Sequence, residues 1–211
     1  MAELAKVTGV PVATVKFYAR EGLLHAGHAT AVNQADYDES HVRRVKLVQA
    51  LLQLGRLSIA DARAVIVAVE DDTVSLHDAF GVAQDAMVAD RDRSGPQYEA
   101  ALVDVDKFVR RHRLKVRRDA AVRLMLADAL VALVGCGLAP DVKDLTGLFD
   151  DVVATAVASA TAEVATVPIN GPRTEQMEHT VVGTVTLDVA HSAIRRMALE
   201  HASAKRFGRR Q

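Results

Sequence analysis

Two short helical segments joined by a glycine turn constrain the fold of this chain most strongly. Residues 2–7 are rich in helix formers, and Gly9 can adopt the positive φ that a tight turn requires. Pro11 suits the first turn of a second helix, where its missing N–H has no partner to lose, and Gly22 is a C-terminal stop signal for that helix. This order predicts a helix-turn-helix, in which the first helix braces the second and the second enters the major groove of DNA.

The residues that follow predict a small wing and two more helices. Residues 24–37 lose helical periodicity and have the length of a short β-hairpin. Asp38 then caps a helix with apolar residues at helical spacing, Gly55 ends that helix, and Ser58 caps the next one. We therefore expect a winged helix-turn-helix domain over residues 1–70.

Helix formers also dominate the rest of the chain, so we expect an all-α fold class, with the winged domain followed by a helical bundle. Aromatic residues make up only 4% of the sequence, so the core must be aliphatic. We expect residues 71–211 to form one all-helical effector-binding or dimerisation domain. Its predicted helices cover residues 76–90, 97–112, 118–134, 141–165 and 173–205. Gly81 and Gly95-Pro96 interrupt the first part of this domain.

The second helix carries polar side chains that can contact DNA. Thr14, Lys16, Tyr18 and Arg20 provide donors that can reach base edges and phosphates. An amphipathic helical hairpin in an unrelated protein could imitate this pattern. The formal charge of this segment neither supports nor excludes DNA binding, because residues 1–70 contain eight basic and seven acidic residues. Binding would depend on where these charges lie.

Over about sixty residues the sequence resembles the MerR-type regulators. The matching segments are Leu4-Ala5, Thr8-Gly9-Val10, Thr14-Val15-Lys16-Phe17-Tyr18, Arg20-Glu21-Gly22-Leu23-Leu24, Tyr37-Asp38-Glu39, Val42-Arg43-Arg44-Val45, Leu54-Gly55 and Leu57-Ser58-Ile59. The resemblance implies a winged helix, dimeric binding to a near-palindromic promoter site, and regulation by distortion of that DNA.

The resemblance also implies roles for individual residues. Lys16 stands where the family usually has a groove-facing Arg, Tyr18 matches a phosphate-contacting aromatic, and Arg20 lies near the DNA backbone at the helix end. Tyr37 matches the Tyr that closes the wing.

Basic residues of the helix after the wing match the family too, whereas the wing itself departs from it. Arg43 and Arg44 occupy the matching basic positions. Residues 25–30 read His-Ala-Gly-His-Ala-Thr where family wings usually carry Arg, and Ala35-Asp36 precede the closing Tyr. Fewer phosphate contacts would weaken binding and flatten its salt dependence.

Metal and cofactor sites are not expected from the sequence. His25 and His28 have no Cys or carboxylate beside them, so we expect exposed side chains and no metal ligands. Cys136 is the only cysteine, which excludes an intramolecular disulfide and the thiolate cluster of metal-sensing family members. We expect Cys136 to be a small packing residue, with a redox sensor as the alternative. We expect no cofactor and no enzymatic activity, because no catalytic motif is present.

The C-terminal part predicts partners rather than chemistry. The last predicted helix carries an apolar stripe that could join two protomers or pack within its own domain: Met177, Val181, Val182, Val185, Val189, Ile194 and Met197. Other apolar residues could line a space for an apolar small-molecule effector, or form ordinary core: Leu124, Met125, Leu130, Leu133, Leu148, Phe149 and Val153. The basic segment 110–118 is expected to be a solvated connection balanced by nearby aspartates.

These features favour a cytoplasmic, sequence-specific transcriptional regulator that binds double-stranded DNA as a homodimer. Charges interrupt every apolar stretch, so no contact with a membrane is expected. Two alternatives stay open. One is a nucleoid-architecture or recombination accessory protein without an effector, and the other is a helical ligand-binding protein with weakened DNA affinity. Footprinting across the genome distinguishes the regulator from the architecture protein, because a regulator protects few promoter sites and an architecture protein protects many dispersed sites.

Overall fold

The computed structural model describes residues 1–31, 34–73, 75–88, 93–138 and 149–208. In this part of the chain the secondary structure consists of helices and one two-stranded hairpin, which confirms the predicted fold class. The chain divides into two compact units. Unit 1 consists of Met1–Thr73 with Gly171–Gln211, and unit 2 consists of Val74–Asn170.

The elements follow one another in a simple order. Unit 1 begins with α1 (Ala2–Thr8), α2 (Val12–Arg20), β1 (His28–Ala31), β2 (Gln34–Asp36), α3 (Glu39–Gln49), a π-helical turn (Ala50–Leu54) and α4 (Ile59–Glu70). Unit 2 contains α5 (Leu76–Asp85), α6 (Pro96–Arg111), α7 (Ala121–Gly135) and α8 (Asp150–Ala165). The chain then returns to unit 1 with α9 (Arg173–Phe207).

Local signals set the boundaries of the first four helices. Gly9 has φ 70° at the end of α1, and the Asp38 carboxylate accepts hydrogen bonds from the Ser40 and His41 amides at the start of α3. Ser58 caps α4 through the amide of Asp61. The helices enclose a core of buried aliphatic residues: Leu4, Val10, Val15, Leu23, Val45, Leu47, Val48, Leu51, Val65, Ile66 and Val69. Val7 of α1 is exposed.

The first half of α9 packs on unit 1, so the residues predicted to form one domain over 71–211 are divided between the two units. Met177, Val181 and Val185 of this helix are buried, and α9 contacts α3, the π-helical turn and α4. Gly55 makes the approach possible, because a Cβ there would lie 3.2 Å from Cγ1 of Val185 and 2.9 Å from the Leu51 carbonyl oxygen. Val185 therefore belongs to the core of unit 1.

The second half of α9 has no such apolar packing against the described residues. From Thr186 onward the helix is exposed except for Leu187, which is half-buried, up to its end at Phe207. Its exposed apolar residues are Val189, Ile194, Met197, Leu199 and Phe207. The predicted stripe is thus divided into a buried part and an exposed part.

Unit 2 has its own core between α6 and α7. The core consists of Tyr98, Ala101, Val105, Ala127 and Leu130, with Leu133 and Phe149 packed against it. Leu130, Leu133 and Phe149 were expected either to line a ligand space or to form core, and they form core in this structure. Met125 is exposed, and Leu148 lies outside the described residues.

Two glycine positions of unit 2 differ in effect. Gly81, expected to interrupt a helix, lies inside α5, and a Cβ there would lie 2.9 Å from Nε of Arg117. The missing side chain makes room for Arg117, which pairs with Asp85. Gly95 does precede a new helix, as expected, with φ 100° ahead of Pro96.

Helix α7 begins at Ala121 and not near the predicted residue 118. The Ala121 amide donates a hydrogen bond of 2.7 Å to Oδ1 of Asp85, which fixes this end of the helix. The basic segment also finds acidic partners, since Arg111 pairs with Asp150 at 2.6 Å and Arg117 with Asp119 at 3.4 Å. Predicted helix 141–165 begins at Asp150 in the structure, and residues 139–148 lie outside the described part.

Two remaining expectations concern exposure and membranes. Cys136 is an exposed free cysteine at the end of α7, so it does not pack into a core as expected. Among the described helices, none combines the length and the apolarity needed to cross a membrane.

Candidate nucleic-acid interface

Helix α2 presents one exposed face that carries positive charge. Lys16 and Arg20 are exposed and lie one helical turn apart, while Val15 and Tyr18 are buried on the opposite face. The Arg20 guanidinium lies over the ring of Phe17, 5.3 Å from its centroid. The helix is thus held from behind, and two cations point away from the core.

The other two predicted contacts of α2 are less accessible. Thr14 is half-buried. Tyr18 is 3% exposed, and burial raises the pKa of its phenol. The ring of Tyr18 is therefore part of the core that holds α2, and a phosphate contact through this residue stays a prediction.

The end of α2 is fixed by a side chain from α4. Arg63 donates two hydrogen bonds to the Glu21 carbonyl oxygen, from Nη2 at 2.6 Å and from Nε at 3.0 Å. Gly22 follows with φ 69° and turns the chain towards the wing. Arg63 is exposed and satisfies the open carbonyl group at the end of the candidate recognition helix.

The predicted wing is present as the hairpin of β1 and β2. The strands are antiparallel, with His28 opposite Asp36 and an irregular register between Ala29 and Ala31. Gly27 allows the two sides to approach, because a Cβ there would lie 2.8 Å from the Asp36 carbonyl oxygen and 3.0 Å from the Tyr37 ring. Tyr37 is half-buried at the base of the wing.

Arg43 and Arg44 lie in α3 and are engaged by carboxylates of their own unit. Arg44 is 3% exposed, with Nη2 2.9 Å from Oε1 of Glu70 and Nε 3.2 Å from Oε1 of Glu178. Arg43 lies 3.5 Å from Glu175 and 3.4 Å from Glu178.

The Arg44 guanidinium is buried between two carboxylates and holds α9 against α3, and its predicted phosphate contact stays a prediction. Arg43 has the same acidic neighbours on α9 and is partly exposed. The exposed basic residues of residues 1–70 are then fewer than the sequence suggests: Lys6, Lys16, Arg20, Lys46, Arg56 and Arg63.

A cluster of imidazoles lies at the base of the wing. The His25 and His41 rings lie with their centroids 4.0 Å apart and their planes tilted by 40°, and the His28 ring centroid is 5.8 Å from that of His41. Asp38 connects them, with Oδ1 2.8 Å from Nδ1 of His41 and Oδ2 3.1 Å from Nε2 of His28. His25, Asp38 and His41 have the donor atoms and the proximity that a metal ion requires.

The electrostatics of this cluster follow from its neighbours. Hydrogen bonds from Ser40, His41 and His28 hold the pKa of Asp38 well below its usual range. Burial, together with the positive charges of His41 and Arg44, lowers the pKa of His25. Asp38 is therefore a carboxylate, and the neutral form of His25 is favoured.

Sequence reasoning missed both the carboxylate partners of Arg44 and the composition of the wing cluster. Asp38 and His41 have the spacing of a helix cap, which is a local signal that could have placed an acidic group beside His25. Glu178 has no such signal, since it reaches α3 only through the return of α9 to unit 1. Glu178 is identified by its position in the fold alone.

Comparisons with known proteins agree with the geometry of the N-terminal segment. Residues 1–68 match the model of the MerR HTH family regulatory proteins. The whole chain is similar to a crystal structure from Streptomyces coelicolor whose protein is described as a candidate transcriptional regulator, with 30% sequence identity and a TM-score of 0.73. That alignment covers 100% of this chain and 98% of the other. No curated protein sequence matches the chain.

Proposed function

Because the chain belongs to the MerR helix-turn-helix family of DNA-binding regulators, we propose that it binds a near-palindromic promoter site as a homodimer and regulates transcription by distorting that DNA. The observation that carries this proposal is the exposed face of α2, where Lys16 and Arg20 stand on a helix braced by buried Val15 and Tyr18. A rigid helix with exposed donors is what readout of the major groove requires.

The proposed contacts divide between base readout and positioning. Lys16 reads base edges, with Thr14 beside it at the margin of the exposed face. Arg20 contacts phosphate, and Tyr37 supports the wing against the backbone. Arg43 and Arg44 serve mainly to hold α9, so the proposed interface relies on fewer phosphate contacts than the matching positions imply.

The test compares two duplexes with the full-length protein. One duplex carries the region upstream of the protein's own gene, and the matched control has the same length and base composition in shuffled order. At low salt we expect at least about tenfold tighter binding to the upstream duplex, the lower part of the range that separates specific from non-specific binding. Equal affinity for the two duplexes would overturn the proposal.

The exposed half of α9 supports dimerisation. Its apolar residues are exposed and no described element covers them, which favours association with a second copy. A two-fold DNA site also requires two recognition helices at a fixed spacing. We place the interface between residues 189 and 207. An antiparallel or parallel pair of these helices would connect the two DNA-binding units.

Unit 2 is the proposed receptor for an apolar small-molecule effector. Its core between α6 and α7 is packed in this structure, and its aliphatic side chains would line a space for an apolar ligand if the two helices separated. We propose a regulatory and non-enzymatic activity. We also propose that the protein is located in the cytoplasm, together with the promoter that it binds. Differential binding of the effector to two states of the dimer would be needed for regulation.

A second candidate function is supported by the internal pairing of Arg43 and Arg44 with glutamates. This pairing removes positive charge from the DNA-facing unit, as expected for a helical ligand-binding protein with weakened DNA affinity. Footprinting across the genome separates these functions. A few promoter sites support the regulator, many dispersed sites support a DNA-architecture protein, and no protected sites support the ligand-binding protein.

A further inference from the structure

Three segments that are separate in the sequence bring three imidazoles and one carboxylate together at the base of the wing. His25 follows α2, His28 lies in β1, and Asp38 and His41 lie at the start of α3. One ligand atom from each of His25, Asp38 and His41 lies within 4.8 Å of the other two. His41 is fully buried, whereas His25 and Asp38 are exposed and can adjust.

The neighbours of His41 show which atoms its two ring nitrogens face. The Nε2 atom lies 3.3 Å from the Ala26 carbonyl oxygen, which can only accept, so Nε2 carries the proton. In one tautomer of His41 the Asp38 amide donates to Nδ1 at 3.1 Å, and when Nδ1 is protonated it donates to Oδ1 of the Asp38 carboxylate at 2.8 Å. Nδ1 and Oδ1 therefore face one position for a cation, which either a proton or a metal ion can occupy.

The neighbouring imidazole is in the form that binds metal ions as well. Ser40 has one hydroxyl hydrogen, which it donates to Asp38 at 2.6 Å, so its oxygen accepts from Nε2 of His25 at 3.1 Å. The His25 ring then keeps its own lone pair on Nδ1. A neutral imidazole with a free lone pair is the ligand form of histidine.

We propose that His25, Asp38 and His41 form a binding site for a divalent transition metal of the zinc class, which fixes the wing to α3. Two imidazoles and one carboxylate are ligands that zinc prefers, with a fourth position open to water. The Ala26 carbonyl oxygen on Nε2 of His41 and the His28 ring on Oδ2 of Asp38 are the outer partners that orient such ligands. Tetrahedral ligands at about 2.0–2.1 Å from the metal stand roughly 3.3 Å apart, so His25 and Asp38 need only local adjustment. The ion would replace the Asp38 amide as the partner of Nδ1.

The site is tested by metal binding to the full-length protein, which does not depend on DNA. Metal-free protein is titrated with Zn²⁺ in competition with a chelating dye, and Co²⁺ serves as the spectroscopic probe of a tetrahedral nitrogen and oxygen site. The variant is His25→Gln, since His25 is exposed and its loss leaves the core intact. The control is His77→Gln, an exposed histidine of α5 in unit 2.

We expect one Zn²⁺ per chain for the wild type and His77→Gln, and binding weakened at least about tenfold in His25→Gln. Zn²⁺ should also slow hydrogen exchange of residues 25–31 and 34–38 in the wild type and not in His25→Gln. A wild type without stoichiometric binding, or a His25→Gln variant that binds as tightly as His77→Gln, would overturn the proposal. The cluster would then be a helix cap stabilised by protons alone.

Discussion

At the scale of single residues, Lys16 and Arg44 show how the same charge acquires different roles. Lys16 is exposed on α2, whereas Arg44 is buried between Glu70 and Glu178. The sequence predicted DNA contacts for both, because charge and position in a motif were all it offered. Burial and the acidic partners of Arg44 depend on α9, which returns to unit 1 from the far end of the chain.

Glu178→Gln tests the buried pair. This change leaves the Arg44 guanidinium buried with one carboxylate fewer, and removal of one partner from a buried pair costs about 3–5 kcal/mol. We expect a loss near the lower end of this range, about 3 kcal/mol, in urea unfolding, because Glu70 remains. The control is Glu175→Gln, which removes a half-exposed partner of Arg43 and should cost about 1 kcal/mol or less. Equal losses for the two variants would contradict the special role of the buried pair.

Lys16→Ala tests base readout. If Lys16 reads base edges, its loss should reduce the preference for the upstream duplex over the shuffled one by about 1–3 kcal/mol, which is the discrimination expected of a good base contact. Lys115→Ala, at an exposed site of unit 2, is the matched loss of one positive charge. Fluorescence anisotropy with both duplexes measures the effect. If Lys16→Ala weakens both duplexes equally, Lys16 contacts only phosphate.

At the scale of elements, the local signals of the first four helices predicted their positions to within a few residues. Glycines, prolines and capping side chains act over one turn, and so they are visible in the sequence. The role of Gly81 was predicted less well, because this glycine lies inside α5 and makes room for Arg117. The position of Arg117 follows from a contact between distant segments, which the local sequence does not show. The assignment of α9 to unit 1 was not visible in the sequence for the same reason, since the apolar residues of α9 give no indication of which unit covers them.

Gly55→Ala tests the approach of α9 to unit 1. The new Cβ would lie 2.9 Å from both the Leu51 carbonyl oxygen and Cδ1 of Leu57, and backbone cannot move aside cheaply. Overpacking of this kind typically costs about 1–3 kcal/mol, and we expect the free energy of unfolding to fall by an amount in that range.

The control is Gly183→Ala in α9, for which we expect a change in stability of the opposite sign. A Cβ there meets nothing within 4 Å, so helix propensity should raise stability by up to about 1 kcal/mol. Thermal unfolding measures both, and a Gly55→Ala variant as stable as the wild type would contradict the close packing of α9.

At the scale of the whole molecule, the division of the apolar stripe in α9 decides where a dimer can form. Val185 is 4% exposed and lies against Gly55, so a charge at this position would disrupt unit 1 itself and could not report on a dimer. Ile194 and Met197 are 61% and 66% exposed on a helix that continues to Phe207. Their burial in a second copy removes apolar surface from water without any change in the core.

Ile194→Glu should therefore convert a dimer into folded monomers. A glutamate placed in an apolar helix pair without a partner is strongly unfavourable, while in the monomer it stands in water. Sedimentation velocity should give the mass of one chain, and the far-ultraviolet circular dichroism should match that of the wild type.

Affinity of Ile194→Glu for the upstream duplex should fall, because the second recognition helix is no longer held at a spacing of about one helical turn or a multiple. Val67→Glu places the same charge on an exposed apolar position of α4 and should leave the dimer intact. A dimeric Ile194→Glu protein would place the interface outside the exposed half of α9, and a monomer with undiminished DNA affinity would separate dimerisation from DNA recognition.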